Sequence, residues 1–346
     1  MGMERWDNPL GTDGFAFVEF VADEKSKLNE YFTQMGFACS GHSRTHKVDL
    51  YQQGKINFFI NYMSDSATQD FHVKHKDAAS SMGFYMVDPE FALKEAVKRG
   101  AVAVTHNEDS IWAGIPAIYG IGGSVIYFVT RQDTFLQRFD VQSVDKIGYG
   151  LDLIDHLTHN VYRGNMVTWA EFYTKIFGFR QIRYFDIDGK VTGLFSKALT
   201  SACNKIKIPL NESKDDNSQI EEFLHEFNGE GIQHIALTTK NIYTTVEQIG
   251  DAGIKLLDTP DTYYELLEKR LPNHGEDLPR MHKLGILMDG ATLPQRKLLL
   301  QIFTQNLCGP AFFEIIQRKG DEGFGEGNFT ALFASIELDQ MRRGVI

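Results

Sequence analysis

Glu314 stands inside the apolar run Gly309-Pro-Ala-Phe-Phe-Glu-Ile-Ile-Gln-Arg318. An ionised carboxylate buried in such a strand costs several kcal/mol unless a partner compensates its desolvation. An earlier run, Gly122-Gly-Ser-Val-Ile-Tyr-Phe-Val-Thr-Arg131, aligns with it without a gap and places Tyr127 where Glu314 stands. The contrast recurs at two more positions: aligning the repeated modules sets His156 and His234 of the second half against Phe15 and Phe84 of the first. Two neutral imidazoles and one carboxylate form the facial ligand set of non-haem Fe(II) oxygenases, which leaves positions open for substrate and dioxygen. Alone, a strand histidine is more often a satisfied structural group, and a lone Glu314 would fit a pair with a buried Arg or Lys. Three such residues at equivalent positions, with apolar or aromatic replacements in the other half, favour one divalent iron per chain. Period-2 alternation puts Ile154, His156 and Thr158 on one strand face and His159 on the other. Only one of the two can face the barrel interior with the other ligands; the module alignment selects His156 and leaves His159 as a structural group.

The elements that must carry these residues come from an internal repeat. The strand Gly14-Phe-Ala-Phe-Val-Glu-Phe20 precedes an amphipathic helix ending at Gly36-Phe37, and Ile154 to Asn160 precedes Trp169 to Phe177 and then Gly178-Phe179. A glycine directly after the helix suits a C-terminal cap at positive φ. Met82 to Val87 and Ile232 to Leu237 open two further units of the same kind. Each unit reads as a βαβββ module. The fold class is thus α+β, with two open β-barrel domains of two modules each, over 10–140 and 150–320, and a C-terminal lid helix within 323–346. The linker falls near Asp140 to Gly150. The last helix is expected to start at Asn328 as N-cap, with Phe329, Leu332, Phe333 and Ile336 on one face. Gly323-Phe-Gly-Glu-Gly-Asn328 reads as a flexible hinge before that helix, because it lacks a P-loop lysine and the full dinucleotide fingerprint. The His72-Val-Lys-His75 pair reads as solvated, and most remaining histidines lie in polar loop-like or helical surroundings.

Bulk properties narrow the class. The chain has 346 residues, enough for about two domains. A formal net charge of −11 without any Lys/Arg run argues against a nucleic-acid surface. Three scattered cysteines without a CxxC fit a reducing compartment. The N-terminus lacks the apolar core of a signal peptide, and no stretch reaches membrane-spanning length, so a cytoplasmic protein without a membrane partner is expected.

Several stretches resemble one family: Asp155-His-Leu-Thr-His-Asn-Val-Tyr162, Ile206-Lys-Ile-Pro-Leu-Asn-Glu212, Gly229-Glu-Gly-Ile-Gln-His-Ile-Ala236, Leu298 to Phe303, Phe312 to Lys319 and Gly323 to Phe329. In them the second half resembles the 4-hydroxyphenylpyruvate dioxygenases of the vicinal-oxygen-chelate superfamily. The first half resembles them more loosely, through Asp13-Gly-Phe-Ala-Phe and Gly122-Gly-Ser-Val-Ile-Tyr-Phe. The resemblance implies that 4-hydroxyphenylpyruvate and dioxygen give homogentisate and carbon dioxide in tyrosine breakdown. The keto acid would chelate Fe(II), and oxidative decarboxylation would precede ring hydroxylation and side-chain migration. It further implies substrate contacts from Ser196, Asn211, Gln219 and Gln301, and aromatic walls from Phe324 and Phe329. Gln233, Phe303, Phe312 and Asn328 come next. Gln301 and Phe303 share a strand face, whereas alternation turns Gln233 away from that of His234. The final helix would act as a water-excluding lid. Family members are commonly dimers or tetramers, so a homo-oligomer is expected. Three alternatives stay open: 4-hydroxymandelate synthase, which a smaller aliphatic at Phe329 would favour; an extradiol catechol dioxygenase; and a non-catalytic small-molecule-binding protein.

Overall fold

The computed structural model describes residues 6–105, 110–132, 134–188 and 193–332. Segments rich in Val, Ile, Phe and Tyr, which suit a half-buried pleated surface, pair into two eight-stranded sheets. The first contains β1 (Thr12–Val21), β2 (Ala38–Ser43), β3 (Val48–Gln53), β4 (Ile56–Asn61), β5 (Ala78–Met86), β6 (Ala117–Tyr119), β7 (Val125–Val129) and β8 (Phe139–Val141). Their spatial order is β6-β7-β5-β1-β4-β3-β2-β8. The second contains β9 (Leu151–Val161), β10 (Arg180–Asp188), β11 (Gly193–Thr200), β12 (Lys207–Ser213), β13 (Gly231–Thr239), β14 (Leu287–Ala291), β15 (Lys297–Phe303) and β16 (Phe312–Lys319). Its order is β10-β11-β12-β9-β13-β16-β15-β14.

The module helices α1 (Leu28–Gln34), α3 (Pro89–Lys98), α4 (Met166–Phe177) and α6 (Ile242–Asp251) each follow the first strand of a unit. Asp88 caps α3 by accepting from the Phe91 N–H, and Pro89 follows it at the first helical position. As the repeat led one to expect, Gly178 closes α4 in the left-handed region. α2 (Ser66–His75) and α5 (Gln219–Phe227) join the two units within each half, while α7 (Asp261–Arg270) and α8 (Leu278–Leu284) lie between α6 and β14.

Strand register corrects the repeat alignment. In the first sheet Phe17 pairs with Gly83 and Glu19 with Ser81, and Gly83 also pairs with Tyr127. In the second, His156 pairs with Ala236 and Thr158 with His234, and Ala236 also pairs with Glu314. The two patterns skip residues at the same places, so His156 and His234 correspond to Phe17 and Ser81, not to Phe15 and Phe84; Tyr127 keeps its match with Glu314. A period-2 apolar pattern looks the same after a two-residue slip, which moved Phe17 to Phe15. β5 is buried at every position, so it offered no alternation against which to place Ser81.

The halves share one core. Phe313 of β16 packs against Phe20, Phe32 and Phe58 of the first half, with ring centroids 5.8–6.1 Å apart. His75, expected to be solvated, is buried: its Nδ1 lies 2.7 Å from the Phe227 carbonyl, Nε2 lies 3.2 Å from the Gly122 carbonyl, and the ring stacks on Phe227. Burial pushes its pKa down. Its partners lie far away in sequence, so local polarity misled. Gly122 has φ +62, and a Cβ there would come within 1.9 Å of the Glu230 carbonyl oxygen; only glycine lets this turn dock beside β13.

Candidate metal centre

The three expected ligands meet because their strands are neighbours: β9 pairs antiparallel with β13, and β13 pairs parallel with β16. In that register His156 and Glu314 flank the short Ala236 from either side, and His234 stands two residues along β13. Glu314 Oε2 lies 3.1 Å from His156 Nε2 and 3.5 Å from His234 Nε2. The imidazole planes cross at 76° with centroids 5.5 Å apart, and one donor atom from each of the three residues falls within 4.8 Å of the others.

Each imidazole is aimed by the residue preceding it. The β9–β13 pairing steps over Asp155 and over Gln233, and a bulged residue escapes strict alternation. Both side chains therefore turn to the histidine that follows. His156 Nδ1–H donates to Asp155 Oδ2 at 2.8 Å, and His234 Nδ1–H donates to Gln233 Oε1 at 3.0 Å. Both Nε2 atoms then face Glu314, the arrangement that orients metal-binding histidines. The expectation that Gln233 turns away is corrected by that bulge. His159 lies on the opposite face, as alternation predicted, 2.7 Å from the Tyr173 hydroxyl, and burial pushes its pKa down to about 3.

Burial works against ionisation of Glu314, but the neighbouring imidazoles override it and hold its pKa at about 2. Burial likewise opposes charge on both histidines: it lowers His234, whereas Glu314 and Asp155 outweigh it at His156 and raise it. Asp155 is buried too, yet Arg318 overcomes that penalty and keeps its carboxyl well below the usual range. Two imidazole nitrogens and one carboxylate fit Fe(II). Glu314 Oε1 is moreover buried without a hydrogen-bond partner among the described residues, a deficit that a cation would relieve.

Around this point stand the other expected residues. Phe312 stacks on His234 with centroids 5.0 Å apart, Phe303 lies 6.1 Å from the same ring, and Phe324 meets His156 edge-on at 5.3 Å. Phe303 pairs with Glu314 across β15 and β16, and Gln301 shares its face two residues away. Gln301 Oε1 is buried and unpartnered among the described residues. Gly325, at φ +77, presses so close that a Cβ would lie 1.8 Å from that oxygen. Ser196 pairs with Asn211, and Asn211 with Asn160 of β9, which keeps all three on the His156 face by alternation. Gln219 is exposed in the first turn of α5, away from this cluster of contacts.

The C-terminal expectations need two corrections. Helical structure begins at residue 326, so Asn328 lies inside the helix and does not cap it. Its Oδ1 accepts instead from the Tyr263 hydroxyl and Arg270. The Gly323–Asn328 stretch is tied down rather than a free hinge: Arg318 donates to the Gly323 carbonyl, and the Gly327 N–H donates to Asp289. Phe329 is 37% exposed. Phe333 and Ile336 fall outside the described residues.

Sequence reasoning missed Asp155, Thr158, Asn160 and Arg318. Thr158 Oγ1 lies 2.9 Å from His234 Nε2. Asn160 is fully buried, and neither amide atom has a partner among the described residues. Alternation already set Thr158 on the His156 face, and carrying it two residues further adds Asn160.

Paired modules whose central strands converge on such a triad define a vicinal-oxygen-chelate protein, and residues 153–267 match the Glyoxalase/Bleomycin resistance protein/Dioxygenase superfamily. Residues 6–144 match the family described as hydroxyphenylpyruvate dioxygenase, N-terminal. A 4-hydroxyphenylpyruvate dioxygenase of Legionella pneumophila (strain Corby) is 53% identical over 344 residues, covering 98% of each chain. One from Pseudomonas aeruginosa is 49% identical over 348 residues, covering 98% of this chain and 97% of the relative. The chain belongs to the 4-hydroxyphenylpyruvate dioxygenase family. Among solved structures, a xylose isomerase-like TIM barrel/4-hydroxyphenylpyruvate dioxygenase fusion protein superposes with a TM-score of 0.82 at 27% identity; the match covers 98% of this chain and 55% of the fusion. A mutant 4-hydroxymandelate synthase from Streptomyces coelicolor shares the fold, with a TM-score of 0.79 at 24% identity over 95% of this chain and 99% of that one. No helix among the described residues is long and apolar enough to cross a membrane.

Proposed function

We propose that this chain is a 4-hydroxyphenylpyruvate dioxygenase that binds one Fe(II) through His156, His234 and Glu314. It converts 4-hydroxyphenylpyruvate and dioxygen to homogentisate and carbon dioxide. The observation that carries this reading is the buried triad with its unpartnered Glu314 oxygen, in a chain with full-length relatives of that name. When bound, the iron supplies a Lewis acid that accepts the keto acid and dioxygen. The protein does the rest by positioning. Asp155 and Gln233 hold the Nδ1 protons, so both Nε2 lone pairs point inward. Phe303, Phe312 and Phe324 wall the site and keep water from it. Ser196, Asn211 and Gln301 offer hydrogen bonds to the substrate's polar ends, and the C-terminal segment with Phe329 closes over them.

The first half, over 10–140, serves as scaffold, the half at 150–320 carries the chemistry, and 323–346 forms the lid. We place the enzyme in the cytoplasm as a homo-oligomer. Incubation of anaerobically purified protein with Fe(II), ascorbate, dioxygen and the keto acid, followed by chromatography, tests the assignment. Homogentisate that disappears in Glu314→Ala supports it. Hydroxymandelate would move the protein to the synthase, and oxygen uptake with catechols alone would move it to the ring-cleaving enzymes.

A further inference from the structure

Arg318 lies at the far end of the strand that carries Glu314, with its side chain largely buried. Its Nε and Nη2 donate to the two oxygens of Asp155 at 2.9 and 2.7 Å, a fork-to-fork geometry that holds a carboxylate in one orientation. That carboxylate in turn accepts from His156 Nδ1. The third arm of the guanidinium, Nη1, points elsewhere. It donates to the carbonyls of Asp321 at 3.1 Å and Gly323 at 2.7 Å, in the loop that leads to the last helix. Phe324, on the same loop, lies under the guanidinium at 5.8 Å and against the His156 ring at 5.3 Å. A second buried cation repeats the pattern: Lys207 Nζ is 3.8 Å from Asp155 and 3.1 Å from Glu322 of that loop.

Both cations that compensate Asp155 therefore also hold the closing loop. We infer that Arg318 is a positioning residue that couples the seat of the C-terminal segment to the orientation of the metal ligand His156, with Asp155 as the shared joint. The inference rests on the Fe(II) reading of the triad and goes beyond it. Metal at His156 favours the Asp155 geometry in which Arg318 grips the 321–324 loop, and a seated loop favours metal by the same factor, because such coupling is reciprocal.

The test combines two readouts on the full chain under anaerobic conditions: Fe(II) binding by calorimetry, and chymotryptic cleavage at Phe324 and Phe329. In the unaltered chain, saturating Fe(II) slows cleavage at both sites several-fold. In Arg318→Lys, which keeps the charge and loses the fork, Fe(II) binds about 10- to 100-fold more weakly. At saturating Fe(II) its protection nevertheless falls below about twofold if the coupling runs through the guanidinium. Asp155→Asn keeps the side-chain shape and guards against simple misfolding; it cuts the joint from the histidine side and gives the same loss of protection. Full protection of either variant once saturated with Fe(II) overturns the inference, as does an unaltered chain that binds Fe(II) without any change in cleavage. An unaltered chain that takes up no Fe(II) overturns the metal-centre reading itself, and the calorimeter shows this before any protease is added.

Discussion

The two halves share a backbone plan down to its irregularities and put opposite chemistry on it. The β1–β5 pairing steps over Ala16 and Ser80, and the β9–β13 pairing steps over Asp155 and Gln233 at matching places. In the second half the bulged residues carry hydrogen-bonding side chains that aim two histidines at a glutamate. In the first, the same frame holds Ala16, Ser80, Phe17, Ser81 and Tyr127, and the interior is filled by rings. Phe17 stacks on Trp112 at 5.0 Å and lies 5.9 Å from Tyr127. A buried carboxylate persists there, on β1 and not on β7: Glu19 stands where Thr158 does, accepting from Asn61, Trp112 and Ser81. The arginine at the end of the third strand also persists, but Arg131 pairs with a half-exposed Asp13 and not with a buried carboxylate. Bulges therefore provide the opportunity for a metal site, and five side chains decide its use.

The sharpest way to break this contrast is to remove the polar group at the one position the halves share, Glu314 in the second and Tyr127 in the first. Glu314→Gln is expected to abolish Fe(II) uptake and turnover, whereas Tyr127→Phe leaves both within a factor of about two of the unaltered chain. In calorimetry, a metal present at 100 times its Kd stabilises the protein by about 2.7 kcal/mol, and only the Glu314 variant loses that gain. Next in size is His75→Ala, which strips the buried Phe227 carbonyl of its partner and leaves a hole beside the Phe227 ring where the halves meet. A loss of about 3 kcal/mol is expected in urea unfolding, with iron stoichiometry at saturation unchanged. Grafting Phe17→His, Ser81→His and Tyr127→Glu into the first half should yield no second equivalent of Fe(II) in an iron assay, because Trp112 and Glu19 still fill that interior; uptake of two irons would show that these three positions alone suffice.

The smallest effect concerns Glu19. Burial raises its pKa above the ordinary 4.5, against the lowering by its three donors. The folded state then binds more protons than the unfolded one from about 4.5 up to the raised value, so stability falls as pH rises through that interval. Glu19→Gln removes this slope: the variant should lose less stability between pH 4.5 and 7, by about 1 kcal/mol or less, in denaturant titrations at both ends. An equal slope in the two proteins would show that the three hydrogen bonds fully offset the burial.

The cluster of His156, His234 and Glu314 was legible in the sequence because polar residues in apolar strands carry a desolvation cost that only a partner explains, and because the repeat supplied an internal control. The modules were legible from strand and helix periodicity, and Gly178 from the end of its helix. The hydrogen bonds that aim the histidines were not legible. Asp155 and Gln233 act through bulges, and a bulge leaves no mark in a two-residue pattern. Arg318 aligned with Arg131 and so offered no contrast between the halves, although its three arms join residues far apart in the chain. Asn328 had the composition of a cap, but helical structure already begins at residue 326, and the Asn328 side chain turns to Tyr263 and Arg270, partners far away in sequence.

β16 belongs to both halves at once. Phe312 and Glu314 face the histidines, and Phe313, between them, is enclosed by Phe20, Phe32 and Phe58 of the other half. The strand cannot slide or tilt toward one neighbour without disturbing the other. Heating the Fe(II)-treated protein should thus give one calorimetric transition in which the halves part and Glu314 leaves the histidines, and the second half expressed by itself would lack the backing that keeps Glu314 in place.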